Sequence, residues 1–263
     1  MLDQLKRLNT RWAGKGEIAY EAVMNSTNIR AKEMARAGAP HGSLAVCEHQ
    51  TAGRGRMTRV WETPAGEALT QTVILRPKMP VEQAQLCIFA AALAAAKAIE
   101  HVCPDVKTGI KWPNDVVIGS RKCVGILCEM VLDGSGYAIA AGVGINVNQK
   151  QFEGELADKA TSLFMETGRV IDRWQVLCAY LTYLEQAVDA LEREGLAGIL
   201  PEYVSRSVTL GSCVRVVGTD VTFVGTAKSV DETGALLVTD ETGEERRVLS
   251  GDVSVRGLMG YVG

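Results

Sequence analysis

"KCVGILCEMVLDGSGYAIAAGVGINVN", residues 122–148, consists of two apolar runs joined at Asp133-Gly134-Ser135-Gly136. Both runs are rich in β-branched residues and the junction carries glycine, the pattern of two antiparallel strands around a turn. Upstream, "VKTGIKWP" (106–113) and "DVVIG" (115–119) have the same texture and meet this pair across "GSR" (119–121). The spacing therefore predicts a mostly antiparallel meander of four strands. "SLAVCEH" (43–49) and "EALTQTVIL" (67–75) read as two further strands. Residues 26–38, "STNIRAKEMARAG", open on good N-cap residues and close on Gly38, which predicts a helix. Residues 81–101 read as a largely buried helix. Between 174 and 191, Trp174, Leu177, Cys178, Leu181, Leu184, Val188 and Leu191 recur at spacings of three and four, an amphipathic helix.

After about residue 211 the texture changes to short strands: "CVRVV", "VTFVGTAKSV", "ALLVTD" and "ERRVLS". Two of the turns between them carry the same residues, "DETG", at 231–234 and 240–243, a spacing that suggests a small barrel of tight hairpins. The expected fold class is thus α+β: a mixed, mostly antiparallel sheet flanked by helices in residues 1–208, and a small β-barrel in 209–263.

The composition narrows the function. A chain of 263 residues, 47% hydrophobic, can bury the core of one large or two modest domains. A net charge of −3 argues against wholesale nucleic-acid binding, which needs a basic face. Seven scattered cysteines (Cys47, Cys87, Cys103, Cys123, Cys128, Cys178 and Cys213), with no CxxC pair, read as free thiols in a reducing compartment. "MLDQLKRLNTRW" has no apolar core of a secretory signal. The apolar run "LCIFAAALAAA" has 11 residues, short of the roughly 20 that span a bilayer. The expectation is a cytoplasmic protein with no membrane segment.

Four stretches carry chemistry. Ser26-Thr27-Asn28 is either a helix cap or a set of short polar groups at a pocket. "EHQTAGRGRMTRVWETPAG" (48–66) sets three arginines on a glycine-rich segment. Such a segment is a solvated loop, a nucleic-acid arm, or a clamp that closes on an anionic ligand. "KWPND" (111–115) forces a tight turn after a strand, with Trp112 in the core and Lys111 and Asn114 on the other side. "RKCVGIL" (121–127) opens an apolar strand with Lys122, and Gly125 allows close approach to its backbone. A lysine at a strand start is ordinarily solvated. His41, His49 and His101 are isolated, so no metal cluster is read. "GVGIN" (142–146) has the wrong spacing for a dinucleotide fingerprint.

Together, Ser26-Thr27-Asn28, "GRGRMTR" (53–59) with Trp61, Lys111 to Asp115, Arg121 to Leu127 and Gly142 to Asn146 resemble the motif series of bacterial biotin protein ligases, in order and spacing. The resemblance runs from about residue 18 to the C-terminus and implies an SH3-like C-terminal barrel. It also implies a two-step acyl transfer. Biotin carboxylate attacks the α-phosphate of ATP, giving biotinyl-5′-AMP, and a lysine of a biotin carboxyl carrier domain then takes the biotinyl group. Ser26, Thr27, Asn28, Gln50, Arg54, Gly55, Arg56, Lys122 and Gly125 would hold biotin. Arg54, Arg56, Arg59, Trp61, Lys111, Asn114 and Asn146 would serve the nucleotide. Lys122, Arg56 and Asp115 would carry catalysis, with Mg²⁺ as a further requirement whose ligands are not identified. A homodimer is compatible with the resemblance. The motif series begins at residue 26, leaving no room for the winged-helix domain of repressor relatives, so specific DNA binding is not expected. Thr58 stands where the motif usually has Gly, a strained choice if that position needs positive φ. The alternatives are a lipoate- or octanoate-handling enzyme of the same superfamily and a non-enzymatic nucleic-acid-binding module.

Overall fold

The computed structural model describes residue 5 and residues 8–61, 64–134, 136–218, 222–250 and 253–257. Its larger sheet has seven strands: β1 (Ile18–Met24), β2 (Leu44–Gln50), β3 (Ala68–Leu75), β4 (Thr108–Lys111), β5 (Asp115–Ile118), β6 (Arg121–Asp133) and β7 (Gly136–Asn146). They lie in the order β1-β2-β3-β7-β6-β5-β4. The meander β4 to β7 is antiparallel throughout. β1 pairs parallel with β2, so the sheet is mixed.

The two faces of this sheet are covered by different helices. α1 (Thr27–Arg36) packs Ala31, Met34 and Ala35 onto Ala45, Ile74, Val131, Ala138 and Ala140. On the opposite face lie α2 (Cys87–Val102), preceded by a 3₁₀ stretch Val81–Leu86, and the 22-residue α4 (Arg173–Glu194), which follows the one-turn α3 (Leu163–Thr167). A short α5 (Leu200–Ser205) leads out of the domain. α2 is alanine-rich, and its buried alanines let α4 approach closely. Val81–Val102 is long and apolar enough to cross a membrane by length and composition, yet 72% of its apolar window is buried inside the fold, as befits a core helix.

The C-terminal strands β8 (Cys213–Gly218), β9 (Thr222–Val230), β10 (Leu236–Asp240), β11 (Glu245–Val248) and β12 (Val253–Gly257) form a second sheet, order β11-β10-β9-β8-β12. Among the described residues its two outermost strands do not pair, so the sheet is open where hairpin spacing predicted a closed barrel. The "DETG" repeat has a structural cause. Asp231 Oδ1 accepts hydrogen bonds from Thr233 N, Thr233 Oγ1 and Ala235 N at 2.9, 2.6 and 2.9 Å. Asp240 Oδ1 repeats the arrangement with Thr242 N, Thr242 Oγ1 and Glu244 N at 2.9, 2.6 and 3.1 Å. Gly234 and Gly243 close both turns at φ +84° and +86°, conformations that an L side chain resists.

This second unit is joined to the first. Trp112, 2% exposed and in the core as its sequence position predicts, donates from Nε1 to Gly234 O at 3.2 Å. The Gly234 turn also lies against Leu86 and Phe89 at the start of α2. Of the seven cysteines, four are buried, Cys128 and Cys178 are half-buried, Cys213 is exposed, and all are free thiols.

Candidate functional site

α1 covers only part of its face of the large sheet. Beyond its N-terminus the same face changes from apolar to small and polar residues. One cross-strand row reads Cys47, Thr70, Gly144, Gly125, Asp115, and the next reads Ala45, Thr72, Gly142, Leu127. Strand alternation puts these residues on one face, and the missing glycine side chains leave a trough. Around it stand Ser26, Thr27 and Asn28, Gln50 from the end of β2, and Arg54, Gly55, Arg56 and Trp61 from the arginine loop. Asn114 and Lys122 complete the lining, and the pocket they bound encloses about 450 Å³, mouth included.

The polar trio is not a helix cap. Ser26 is the N-cap residue of α1, 1% exposed, but its side chain makes no capping hydrogen bond. Thr27 N donates to Gln50 Oε1 at 2.9 Å, which holds that amide against the start of α1. Asn28 Nδ2 donates to Leu127 O at 3.1 Å and to Glu129 Oε2 at 3.0 Å, while its Oδ1 accepts from Thr72 Oγ1 at 2.8 Å. Asn28 therefore spends both amide hydrogens on the protein, leaving only acceptor capacity for a ligand. Its amide lies so close over Gly142 that a Cβ there would sit 1.8 Å from Oδ1.

The arginine loop folds back on itself through Gly55 N to Arg59 O (2.7 Å) and Trp61 N to Gly53 O (3.0 Å). At its tip, the 3₁₀ turn Arg56–Thr58, the left-handed backbone falls on Met57 (φ 53°), one residue before the position where the motif comparison placed it. Arg56 donates to Asn114 Oδ1 at 2.8 Å and to the carbonyl of Ser250, tying the loop to both sheets. Burial lowers the pKa of its guanidinium, against the opposing pull of Asp115.

Lys122 is not the solvated lysine of the ordinary reading. Its Nζ lies 2.6 Å from Asp115 Oδ1 and 5.6 Å from the centre of the Trp61 ring. The indole itself rests on the trough floor. Cβ atoms built on Gly125 and Gly144 would come within 2.7 and 2.4 Å of it, and among the described residues the buried Trp61 Nε1 has no hydrogen-bond partner. A flat group entering over these glycines must displace the indole.

Four sequence candidates lie outside the lining. Asp115 stands behind it, paired with Lys122. Arg59 is exposed. Lys111 is buried, 7% exposed. Asn146 is fixed by Thr161 O (3.0 Å) and by Gln149 Nε2 (3.1 Å). Conversely, Thr70 and Thr72 were not singled out by sequence, nor were Lys32 and Glu129, which pair with each other beside Asn28 and Arg54; Gly142 and Gly144 entered only as members of the "GVGIN" motif, with no role given to them. The signal for Glu129 was available, because two-residue alternation from Gly125 through Leu127 puts it on the pocket face.

The "Biotin/lipoate A/B protein ligase family" matches residues 20–146, and the "Biotin protein ligase C terminal domain" matches residues 209–256. The chain is 34% identical over 258 residues to a biotin–acetyl-CoA-carboxylase ligase of Mycobacterium tuberculosis, covering 95% of this chain and 92% of that one. To the bifunctional ligase/repressor BirA of Bacillus subtilis it is 37% identical over 242 residues, covering 90% of this chain and 74% of that one. The fold superposes on the biotin protein ligase of Aquifex aeolicus, in complex with biotin and ATP, with a TM-score of 0.80. That match has 29% identity and covers 92% of this chain and 99% of the other.

Proposed function

Since the chain belongs to the biotin protein ligase family, we propose how its pocket performs that activity. The protein is an ATP-dependent biotin protein ligase: it joins biotin and ATP to form biotinyl-5′-AMP, then transfers biotin to a lysine of a carrier domain. The observation that carries the assignment of residues is convergence. Segments around residues 26–28, 50–61, 114, 122–127 and 142–144, distant in sequence, line one trough.

Biotin's ureido ring needs donors and acceptors in fixed places, and its thiophane needs an apolar surface. Ser26, Thr27 and Gln50 supply the first, and the Gly125–Gly144 floor supplies the second. Two anions, the carboxylate and the triphosphate, must meet in this trough. Lys122 is placed to lie between them once it leaves Asp115, and Arg54 and Arg56 neutralise phosphate charge. Fixed cations that gain most as the two oxygens approach favour the transition state. The loop then shields the mixed anhydride from water until the carrier lysine arrives. Asp115 serves as the resting counter-ion of Lys122.

Mg²⁺ fits only as an ion delivered on the triphosphate. Among the described residues no group of three or more His, Cys, Asp or Glu side chains is gathered, and Asp115 is engaged by Lys122. Ions held mainly by phosphate and water need no more than one or two carboxylates. We read the open C-terminal sheet, β8 to β12, as an SH3-like fold that steadies the loop through Ser250.

The test is incubation with biotin, ATP and a carboxylase carrier domain, probed with streptavidin, beside an arm containing lipoate in place of biotin. Labelling only with biotin is expected. No labelling of a competent carrier, or equal use of lipoate, would overturn the reading.

A further inference from the structure

Behind the trough, on the other face of the large sheet, lie polar groups that the pocket does not use. In β3, Thr70 and Thr72 belong to the trough face, so alternation turns Gln71 between them toward the helices. Gln71 is 1% exposed, and Tyr180 of α4 is 0% exposed. Among the described residues, Gln71 Nε2, Gln71 Oε1 and Tyr180 Oη are all buried without a hydrogen-bond partner. Burial, then the Cys128 thiol, push the Tyr180 pKa up, and the Gln71 amide pulls it the other way, so the two side chains face each other. No well-formed hydrogen bond joins them.

A direct bond between the two would not satisfy both. A primary amide offers two hydrogens and an acceptor, and a phenol offers one of each. Turned to donate, the hydroxyl serves Oε1 and strands both amide hydrogens. Turned to accept, it strands Oε1 and one amide hydrogen. The sheet around them supplies nothing more. The row that holds Gln71 continues as Val46, Val143 and Ile126, and the next row on this face holds Val73, Ala141 and Cys128. Burial raises the Cys128 pKa to about 12, so its thiol stays protonated and brings no charge.

Buried amides and hydroxyls are paired in folded proteins because an unpaired one costs about as much as a lost hydrogen bond. The missing partner therefore comes from outside the chain, and the groups present set its chemistry. It must donate and accept at once. It must be neutral, because an ion buried here without a counter-charge would cost far more. It must also be small enough to lie between packed side chains. Water meets all three conditions.

We propose that one internal water molecule bridges Gln71 of β3 and Tyr180 of α4 as a fixed part of this fold. The inference is independent of the ligase reading. It ties α4 to the sheet directly behind the trough, since the strand neighbours of Gln71 are Thr70 and Thr72.

The experiment has two arms, both on the full chain. Wild-type crystals at a resolution that shows ordered waters should hold one water within hydrogen-bond distance of both the Gln71 amide and the Tyr180 hydroxyl. The Gln71→Leu/Tyr180→Phe double variant should hold none there. In urea unfolding, Tyr180→Phe removes only the hydroxyl and should raise the unfolding equilibrium constant about fivefold to tenfold, the worth of roughly one hydrogen bond in a satisfied network. Should the double variant fail to fold, the wild-type crystal and Tyr180→Phe decide the matter. A hydroxyl without a partner costs nothing to remove, so an unchanged or lowered unfolding constant in Tyr180→Phe would overturn the proposal. A dry contact in wild-type crystals that show other buried waters, or a water that persists in the double variant, would do so equally.

Discussion

Adding one methyl group at Gly142 should do more damage than its size suggests. A Cβ there would lie 1.8 Å from Asn28 Oδ1, and reaching ordinary contact at 3.4 Å requires the amide to retreat by roughly 1.6 Å. Asn28 cannot retreat that far and keep its bonds to Leu127 O, Glu129 and Thr72. Two neutral hydrogen bonds at about 1 kcal/mol each and one to a charged group at about 2 kcal/mol set a ceiling near 4 kcal/mol, so partial relaxation leaves about 3 kcal/mol. In urea unfolding followed by circular dichroism, Gly142→Ala should lower the midpoint by about 1 M at an m value of about 2–3 kcal/mol/M. The decisive arm is a double-mutant cycle. The three nearest atoms to the added Cβ all belong to Asn28, so in an Asn28→Ala background the same methyl should cost less than about 1 kcal/mol. An unchanged cost in that background would refute the assignment of the strain to Asn28.

Lys122→Ala should lower adenylate formation, measured as pyrophosphate release, by about 10²-fold, with some loss in the melt because Asp115 loses its counter-ion; near-normal release from a folded variant would leave Lys122 a structural partner of Asp115 only. Ser26→Ala should scarcely alter stability, because this N-cap side chain makes no cap, whereas a working cap would cost about 1 kcal/mol on removal. Biotin affinity by calorimetry should fall in the same variant, and a stability loss without an affinity loss would reverse that conclusion. Hydrogen bonding by Thr242, together with Thr242 N, Glu244 N and Arg246, pulls the Asp240 carboxyl from 3.8 down to about 2. A depressed folded-state pKa means that its stabilisation is complete above the unfolded value and lost as pH falls through the folded one. Melting between about pH 4 and 2 should therefore be less pH-dependent in Asp240→Asn than in wild type, and parallel curves would discount the turn.

The strand meander was legible because residues 106–148 alternate apolar runs with turn glycines, a pattern set by local chemistry. β1 escaped notice because four consecutive residues of the strand, 20–23, are exposed, so no two-residue period shows. The "DETG" repeat announced its turns correctly, but whether the outer strands close on each other depends on long-range geometry that no spacing records. For the pocket, residue types such as Lys122 and Arg56 stood out by charge. The glycines 142 and 144 appeared within the "GVGIN" motif but their role did not, since it lies in what rests on them, Asn28 and Trp61. Ser26 was equally legible as a cap or as a pocket residue, and only the direction of its side chain separates the two. The cysteines read as buried free thiols, and Cys213 departs from that reading: it opens a strand whose first four residues are exposed and buried by turns, and lies on the exposed side.

Trp61 makes the site's measured affinity a difference between two occupancies. A substrate ring competes for the Gly125–Gly144 floor with an indole tethered at very high local concentration, and the observed dissociation constant is the intrinsic one divided by the fraction of molecules whose floor is clear. The tether is not as strong as its contact suggests. The buried Nε1–H has no partner among the described residues, and its release to water recovers part of a penalty of about 1–3 kcal/mol. A tenfold change in apparent affinity needs only about 1.4 kcal/mol. Substitutions that merely retune the indole, without touching any group that holds substrate, can thus shift the concentration at which the enzyme responds.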